Sequence, residues 1–265
     1  MRRLAGKVVI VTGGSRGIGR GIAQAFAMEG ANVVIADIRL DLAKETVREL
    51  EASGQKAIAV KTDVRKSREV KEMVEETLHT FGKLDVLVNN AGVVGVPKDI
   101  VHVALPWEVE EVHWDATFDV NIKGTYLCCK QVIPHMINQK SGKIVNIASG
   151  AALSGSRFIA HYGASKAAVV NYTLSLALCL GEYGITANTI LPNLVWTDLW
   201  KKGVQVGAEK FHPEFKARPK SFFDQQVERT WLKRATTPEN IGSLAVFLAS
   251  KDADDITGQW ILVGR

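Results

Sequence analysis

The order in which apolar runs recur constrains this chain more than any single motif. Seven of them, rich in β-branched residues, appear as "KVVIVTG", "ANVVIAD", "KAIAVKTD", "LDVLVNNAG", "GKIVNIAS", "ITANTILP" and "GQWILV". Most lack the polar alternation of a strand with one wet face, so they read as strands covered on both sides. Helix-length amphipathic segments separate them, at about 18–29, 41–53, 66–81, 110–138, 162–182 and 238–249. Strand and helix in alternation predict a doubly wound α/β fold, a parallel sheet of about seven strands with helices on both faces and right-handed crossovers. Residues 1–265 are read as one domain, because α/β folds of this length are often undivided. One irregular stretch, about 193–236, is too long for a simple connection and predicts a substrate lid.

Composition removes several function classes. With 46% hydrophobic and 23% charged residues and no run of eighteen apolar positions, the chain predicts a soluble protein with no membrane partner. The opening Arg pair precedes only "VVIV" before glycines arrive, too short for a signal-peptide core. Three cysteines, Cys128, Cys129 and Cys179, without CxxC spacing suggest neither a disulfide framework nor a zinc site, and the histidines show no metal-ligand spacing. A cytoplasmic location and no metal are expected. The net charge of +5 comes without a basic block or aromatic-interleaved motif, so no nucleic-acid partner is expected.

"TGGSRGIG", residues 12–19, follows the first strand and opens the first helix. Gly13, Gly17 and Gly19 let the backbone turn sharply, and the helix N-terminus offers free N–H groups to a pyrophosphate. The spacing G-x3-G-x-G differs from the commonest dinucleotide fingerprint, but its place between strand and helix is that of a Rossmann-type nucleotide site. Asp37 ends the second strand about 20 residues beyond, where a carboxylate accepts from the ribose 2′-hydroxyl of NAD and repels a 2′-phosphate. Arg16 and Arg39 flank that position.

With these segments the chain resembles the short-chain dehydrogenase/reductase family, and the resemblance runs along nearly its whole length. Further matching segments are "DV" at 63–64, "NNAG" at 89–92, "FDVNIKGT" at 118–125, "IVNIAS" at 144–149, "YGASK" at 162–166 and "TGQ" at 257–259. The resemblance implies that Gly13, Ser15, Arg16, Gly17, Ile18, Gly19 and Asp37 bind NAD. By the same resemblance Asp63 and Val64 hold the adenine, and Asn90, Ala91 and Gly92 line the adenosine ribose. Pro192, Val195 and Thr197 border the nicotinamide and its phosphate. Asn193 stands where the family usually has Gly, a residue type that tolerates unusual φ.

A tyrosine four positions before a lysine occurs twice, as Tyr162/Lys166 and as Tyr126/Lys130, and helical spacing puts both pairs on one face. What separates them is context. Thirteen residues before Tyr162 stands Ser149, at the end of a predicted strand, whereas Tyr126 has His113 at that offset. Tyr162 and Lys166 are therefore the active pair, and Tyr126 and Lys130 belong to a packing helix. A phenol with an ordinary pKa of about 10 is a poor base, and bringing it to about 7 takes roughly 4 kcal/mol of differential stabilisation from Lys166 and the positive nicotinamide. Ser149 positions the substrate oxygen, and Asn121 resembles the family residue that holds a water leading to the lysine.

The activity implied is NAD-dependent interconversion of a secondary alcohol and a ketone by a homo-oligomer, a dimer or tetramer built on the helices at 110–138 and 162–182. Alternatives are a 3-oxoacyl-carrier or coenzyme A reductase of the same family, against which Asp37 argues because such reductases generally prefer NADPH, and a non-catalytic NAD sensor. Between Leu199 and Arg234 nine Lys/Arg face four Asp/Glu, leaving the rest of the chain neutral. That charge predicts steering of an anionic substrate. Trp107, Trp196, Trp200, Phe211, Phe215, Phe222 and Phe223 in or near the loops predict an apolar pocket, while Trp114 and Phe118 are expected to pack.

Overall fold

The computed structural model describes residues 2–96, 101–210 and 218–265. Seven parallel strands form one sheet in the order β3-β2-β1-β4-β5-β6-β7. They are β1 (Val8–Thr12), β2 (Asn32–Asp37), β3 (Ala57–Lys61), β4 (Val86–Asn89), β5 (Gly142–Ile147), β6 (Ile185–Pro192) and β7 (Trp260–Val263). All seven coincide with the apolar runs. Period-two alternation divides each strand between two cores: Val9, Val11, Val33, Ile35 and Val88 enter one, and Ile10, Val34, Ala36 and Leu87 the other.

The first core is closed by α1 (Gly17–Met28), α2 (Leu40–Ala52) and α9 (Pro238–Ala249), through Ile22, Phe26, Leu50, Ile241 and Leu248. The second is closed by α3 (Ser67–Phe81), α5 (Gly124–Gln139) and α6 (Ala160–Leu180), through Val70, Met73, Val132, Met136 and Leu176. α9 starts on a capping box in which Thr237 and Asn240 satisfy each other's backbone N–H groups. Cys128 and Cys129 are buried in α5, and burial pushes the Cys129 thiol up to about 12. By length and composition α6 could cross a membrane, yet Val169, Leu176 and Leu180 are buried against the sheet and its neighbours.

Two elements differ from the sequence reading. The helix expected over 110–138 is α4 (Glu111–Phe118), a π-helical turn at Asp119–Lys123, and then α5. The stretch expected to be irregular contains α7 (Asp198–Lys210) and α8 (Pro219–Glu228). Their amphipathic pattern is short and rich in charge, so periodicity over a long window hid it. Phe211 and Phe215 lie outside the described residues.

Chain order reverses between β1 and β4. Connections from the two strands leave in opposite directions, so a crevice opens at their carboxyl ends, the usual ligand position in such sheets.

Candidate active site

The turn after β1 is shaped by what it lacks. Gly13 has φ +61°, and a Cβ at Gly19 would lie 2.1 Å from the Gly13 carbonyl oxygen and 2.5 Å from Asn90 Nδ2. No side chain fits there. Asn90 Nδ2 donates to the carbonyls of Thr12 and Gly13 at 3.0 Å each, and Thr12 Oγ1 accepts from the N–H groups of Asn90 at 3.0 Å and Ala91 at 3.1 Å. β1 and β4 are thereby locked edge to edge beneath the crevice. No side chain caps α1, so its first N–H groups are left for an anion. Ser15 Oγ is buried there without a partner among the described residues.

Asp37 is buried at the end of β2. Its Oδ2 accepts from the Ser15 N–H at 3.2 Å and its Oδ1 from the Arg39 N–H at 3.0 Å, with Arg39 Nε 4.0 Å away. Asp37 lines a crevice of about 490 Å³ together with Gly13, Arg16, Gly17, Ile18, Gly19, Asp63, Val64, Asn90, Ala91, Gly92 and Thr197. Ser15 reaches this group only through its backbone N–H. The Asp63 carboxylate grips Arg65, with Nη2 to Oδ2 at 2.6 Å and Nε to Oδ1 at 2.9 Å; this hydrogen bonding holds the acid below its usual range. Arg16 is lowered from the usual arginine range by burial first and by Arg39 second, and its Nη1 lies 3.9 Å from Asp198 of α7 across the crevice.

Ser149 follows β5 and heads the short turn Gly150–Ala152, its Oγ accepting from the Ala151 N–H at 3.2 Å. Tyr162 enters in the first turn of α6. Burial pushes its phenol above the usual value, and hydrogen bonding from Ser149 pulls the other way. Lys166, one helical turn on, is buried; its Nζ donates to the Ile147 carbonyl at 2.8 Å and stands 5.8 Å from the Tyr162 ring centroid. Desolvation lowers its pKa from 10.5 to about 8. Burial thus drives both groups toward neutrality, opposite to the ionised pair expected from the sequence.

Asn121 lies in the π-helical turn, buried. Its Oδ1 accepts from the Val93 N–H at 2.9 Å, and its Nδ2 donates to the Val93 carbonyl at 3.0 Å and to Ser165 Oγ at 2.9 Å. The side chain pins the loop after β4 to α6. Asn121 Oδ1 and Lys166 Nζ both approach Gly92, each 3.3 Å from where a Cβ would project.

A second, larger cavity of about 810 Å³ adjoins the crevice. Its wall is mostly apolar: Val101, Val103, Leu153, Phe158, Ile159, Leu194, Leu199, Trp200, Val204, Phe222 and Leu262. Ser149, Tyr162, Pro192, Val195 and Thr197 line it as well, so Pro192 and Val195 face this cavity rather than the crevice. Among the described residues Tyr162 is the only titratable side chain that lines both spaces.

The expected apolar pocket is therefore present, with corrections to its members. Trp200 and Phe222 line it; Trp196 and Phe223 pack against each other off the lining, tilted, with centroids 4.8 Å apart, and Trp107 is 79% exposed. Trp114 and Phe118 stack at 4.9 Å, as packing residues do. Asn193 does not use a left-handed φ; it donates from Nδ2 to the Gly264 carbonyl at 2.9 Å. Lys201, Lys202, Arg218 and Lys220 do not line the cavity. His161, beside Tyr162, is spent on the cavity wall, its Nε2 2.7 Å from the Val94 carbonyl.

Sequence reasoning missed Thr12, Arg65, Ser165 and Arg265. Thr12 stood inside a quoted motif with a hydroxyl and no assigned partner. Ser165 also stood inside a quoted motif and Arg65 lies two residues from the Asp63 it grips, whereas Arg265 carries no local signal because Trp231 comes from a distant part of the chain.

The short chain dehydrogenase family model matches residues 7–205. The chain is 39% identical over 258 residues to galactitol 2-dehydrogenase of Agrobacterium fabrum, covering 97% of this chain and 95% of that one. It is 38% identical over 258 residues to the 3-oxoacyl-(acyl-carrier-protein) reductase FabG of Staphylococcus epidermidis, covering 97% of each. An NAD⁺-bound xylitol dehydrogenase superposes with TM-score 0.91 at 28% identity over 98% of both chains.

Proposed function

Since the chain belongs to the short-chain dehydrogenase/reductase family, a family of oxidoreductases served by a nicotinamide cofactor, we propose that it interconverts a secondary alcohol and a ketone with NAD. The position of Tyr162 carries this reading: it joins a crevice suited to a dinucleotide to a cavity suited to an organic substrate. The residues present fit such a cofactor. The uncapped start of α1 and the orphaned Ser15 hydroxyl suit a pyrophosphate, the Asp37 carboxylate suits ribose hydroxyls, and Lys166 is a buried amine with no carboxylate beside it among the described residues.

When bound, the nicotinamide supplies hydride exchange at the substrate carbon. Tyr162 holds the proton exchanged at the substrate oxygen, and Ser149 orients that oxygen. Lys166 donates toward the cofactor ribose and offsets the burial that raises the phenol. Asn121 fixes the loop at Val93 against which Lys166 rests; water held by its backbone would connect that lysine to solvent. α7 and α8 would cover the substrate.

Galactitol and xylitol are polyols, and a polyol would meet few hydrogen-bonding groups on this wall. A ketone or alcohol with an apolar body fits it better. A second reading, reduction of a 3-oxoacyl thioester, is favoured by the same wall and opposed by Asp37. Leu174, Leu178 and Tyr126, 43%, 86% and 42% exposed on α5 and α6, support association of copies into a dimer or tetramer. Sedimentation as a stable monomer at micromolar concentration would contradict that.

The test of function is NADH formation across apolar secondary alcohols, hydroxy acids and polyols, repeated with NADP. Tight NAD binding with no turnover of any substrate would reduce the protein to a sensor. Faster turnover of 3-oxoacyl thioesters with NADPH would establish the second reading.

A further inference from the structure

The large cavity has one charged side chain on its wall among the described residues, Arg265. It is exposed as well as lining, which puts it at the opening. Its position is built by several contacts. The Trp231 N–H donates to the Arg265 carbonyl at 3.0 Å, and Asn193 Nδ2 and the Asn193 N–H hold Gly264 and Val263 at 2.9 and 3.0 Å. The guanidinium carbon lies 4.5 Å from the centroid of the Trp231 ring. A guanidinium lying over an aromatic ring has N–H donors at its edge, in the fork that matches a carboxylate.

Two of the cations expected to attract an anion are otherwise engaged. Lys201 pairs with Asp198 at 3.4 Å and lies over the Trp196 ring at 5.9 Å, and Lys220 pairs with Asp224 and lies over the same ring at 5.3 Å. Arg265 has no Asp or Glu side chain as a partner among the described residues, and the rest of the wall supplies hydrocarbon and a few hydroxyl or amide groups.

We propose that Arg265 is an anion subsite and that the substrate is a keto acid or hydroxy acid, an apolar body with a carboxylate at the end away from the reacting carbon. This rests on the function proposed above. A long hydrocarbon body fills the wall of Val101, Leu199, Val204 and Phe222, and Arg265 fixes how deep it sits. Steering thus comes from one guanidinium beside the opening, not from the net charge of residues 199–234.

The test compares a medium-chain keto acid, its neutral methyl ester and its coenzyme A thioester on the wild type, Arg265→Gln and Arg265→Lys. The ratio of kcat/KM for acid over ester is expected to fall about tenfold to a hundredfold in Arg265→Gln, chiefly through KM, with partial recovery in Arg265→Lys. An unchanged ratio overturns the subsite. An Arg265 effect confined to the thioester overturns the carboxylate assignment in favour of a phosphate-bearing carrier. Calorimetric binding of the acid to wild type and Arg265→Gln runs alongside. If nothing is turned over, an affinity that still depends on Arg265 upholds the subsite and the missing turnover counts against the proposed reaction, whereas equal affinity overturns the subsite too.

Discussion

Two tyrosine–lysine pairs in this molecule share one local geometry and almost nothing else. In both, the lysine Nζ stands 5.8 Å from the tyrosine ring centroid, as helical spacing dictates. Tyr126 and Lys130 lie on the outside of α5, with Tyr126 42% exposed. Lys166 is 4% exposed, bonded to the Ile147 carbonyl, and its partner Tyr162 bridges two cavities. The same four-residue step is surface in one place and candidate chemistry in the other. Burial at the carboxyl end of β5 makes the difference, by removing water from a lysine that has no counter-charge.

The largest expected effect separates the pairs by activity. Tyr162→Phe should lower turnover about 10²–10⁴-fold while NAD affinity, measured by titration, stays within about threefold, because the hydroxyl carries the proton and little of the cofactor contact. Tyr126→Phe should keep most activity. Near-normal turnover in Tyr162→Phe would break the comparison outright.

Stability sharpens it next. The folded pKa of Lys166, about 8, lies below its ordinary 10.5, so between these values the unfolded chain binds more protons and stability rises with pH. Below pH 8 the penalty is fully present, about 3 kcal/mol at most. Lys166→Met should therefore stabilise the cofactor-free protein at pH 7 by about 1–3 kcal/mol in denaturant titrations, an advantage that shrinks as pH rises toward 10.5. Lys130→Met should change stability by less than about 0.5 kcal/mol. A destabilised Lys166→Met would show that its hydrogen bond outweighs its desolvation.

A smaller effect tests whether the buried pair is tuned for NAD. Wild type should favour NAD over NADP by at least about tenfold in kcat/KM, and Asp37→Ala should shrink that ratio. Preference for NADP in the wild type would show that Arg16, Arg39 and Arg65, which line the same crevice, dominate. Smallest of all, only Cys179 of the three cysteines should react with a thiol reagent in the native protein, since Cys128 and Cys129 are buried on the inner side of the helix that carries Tyr126. Rapid modification of either would mean that α5 opens.

Much of the candidate site was legible because it sits where local rules act. The glycine turn and Asp37 follow strands of recognisable pattern, and Ser149 at a strand end with Tyr162 thirteen residues on is a fixed offset within one supersecondary unit. Arg265 was illegible for the opposite reason. It meets Trp231, and Asn193 holds the neighbouring Gly264, only after β7 has taken its place beside β6.

The sequence by itself determined the seven strands, their parallel order of succession with helices, and the residue types at the crevice, because hydrophobic period and glycine stereochemistry act within a few residues. Only the tertiary structure decided which Tyr–Lys pair is buried, that Asn121 spends its amide on Val93 and Ser165, and that Lys201, Lys202 and Lys220 stay off the substrate wall. Those outcomes depend on which water is excluded from which group, and exclusion of water is a property of surfaces brought together across the whole chain.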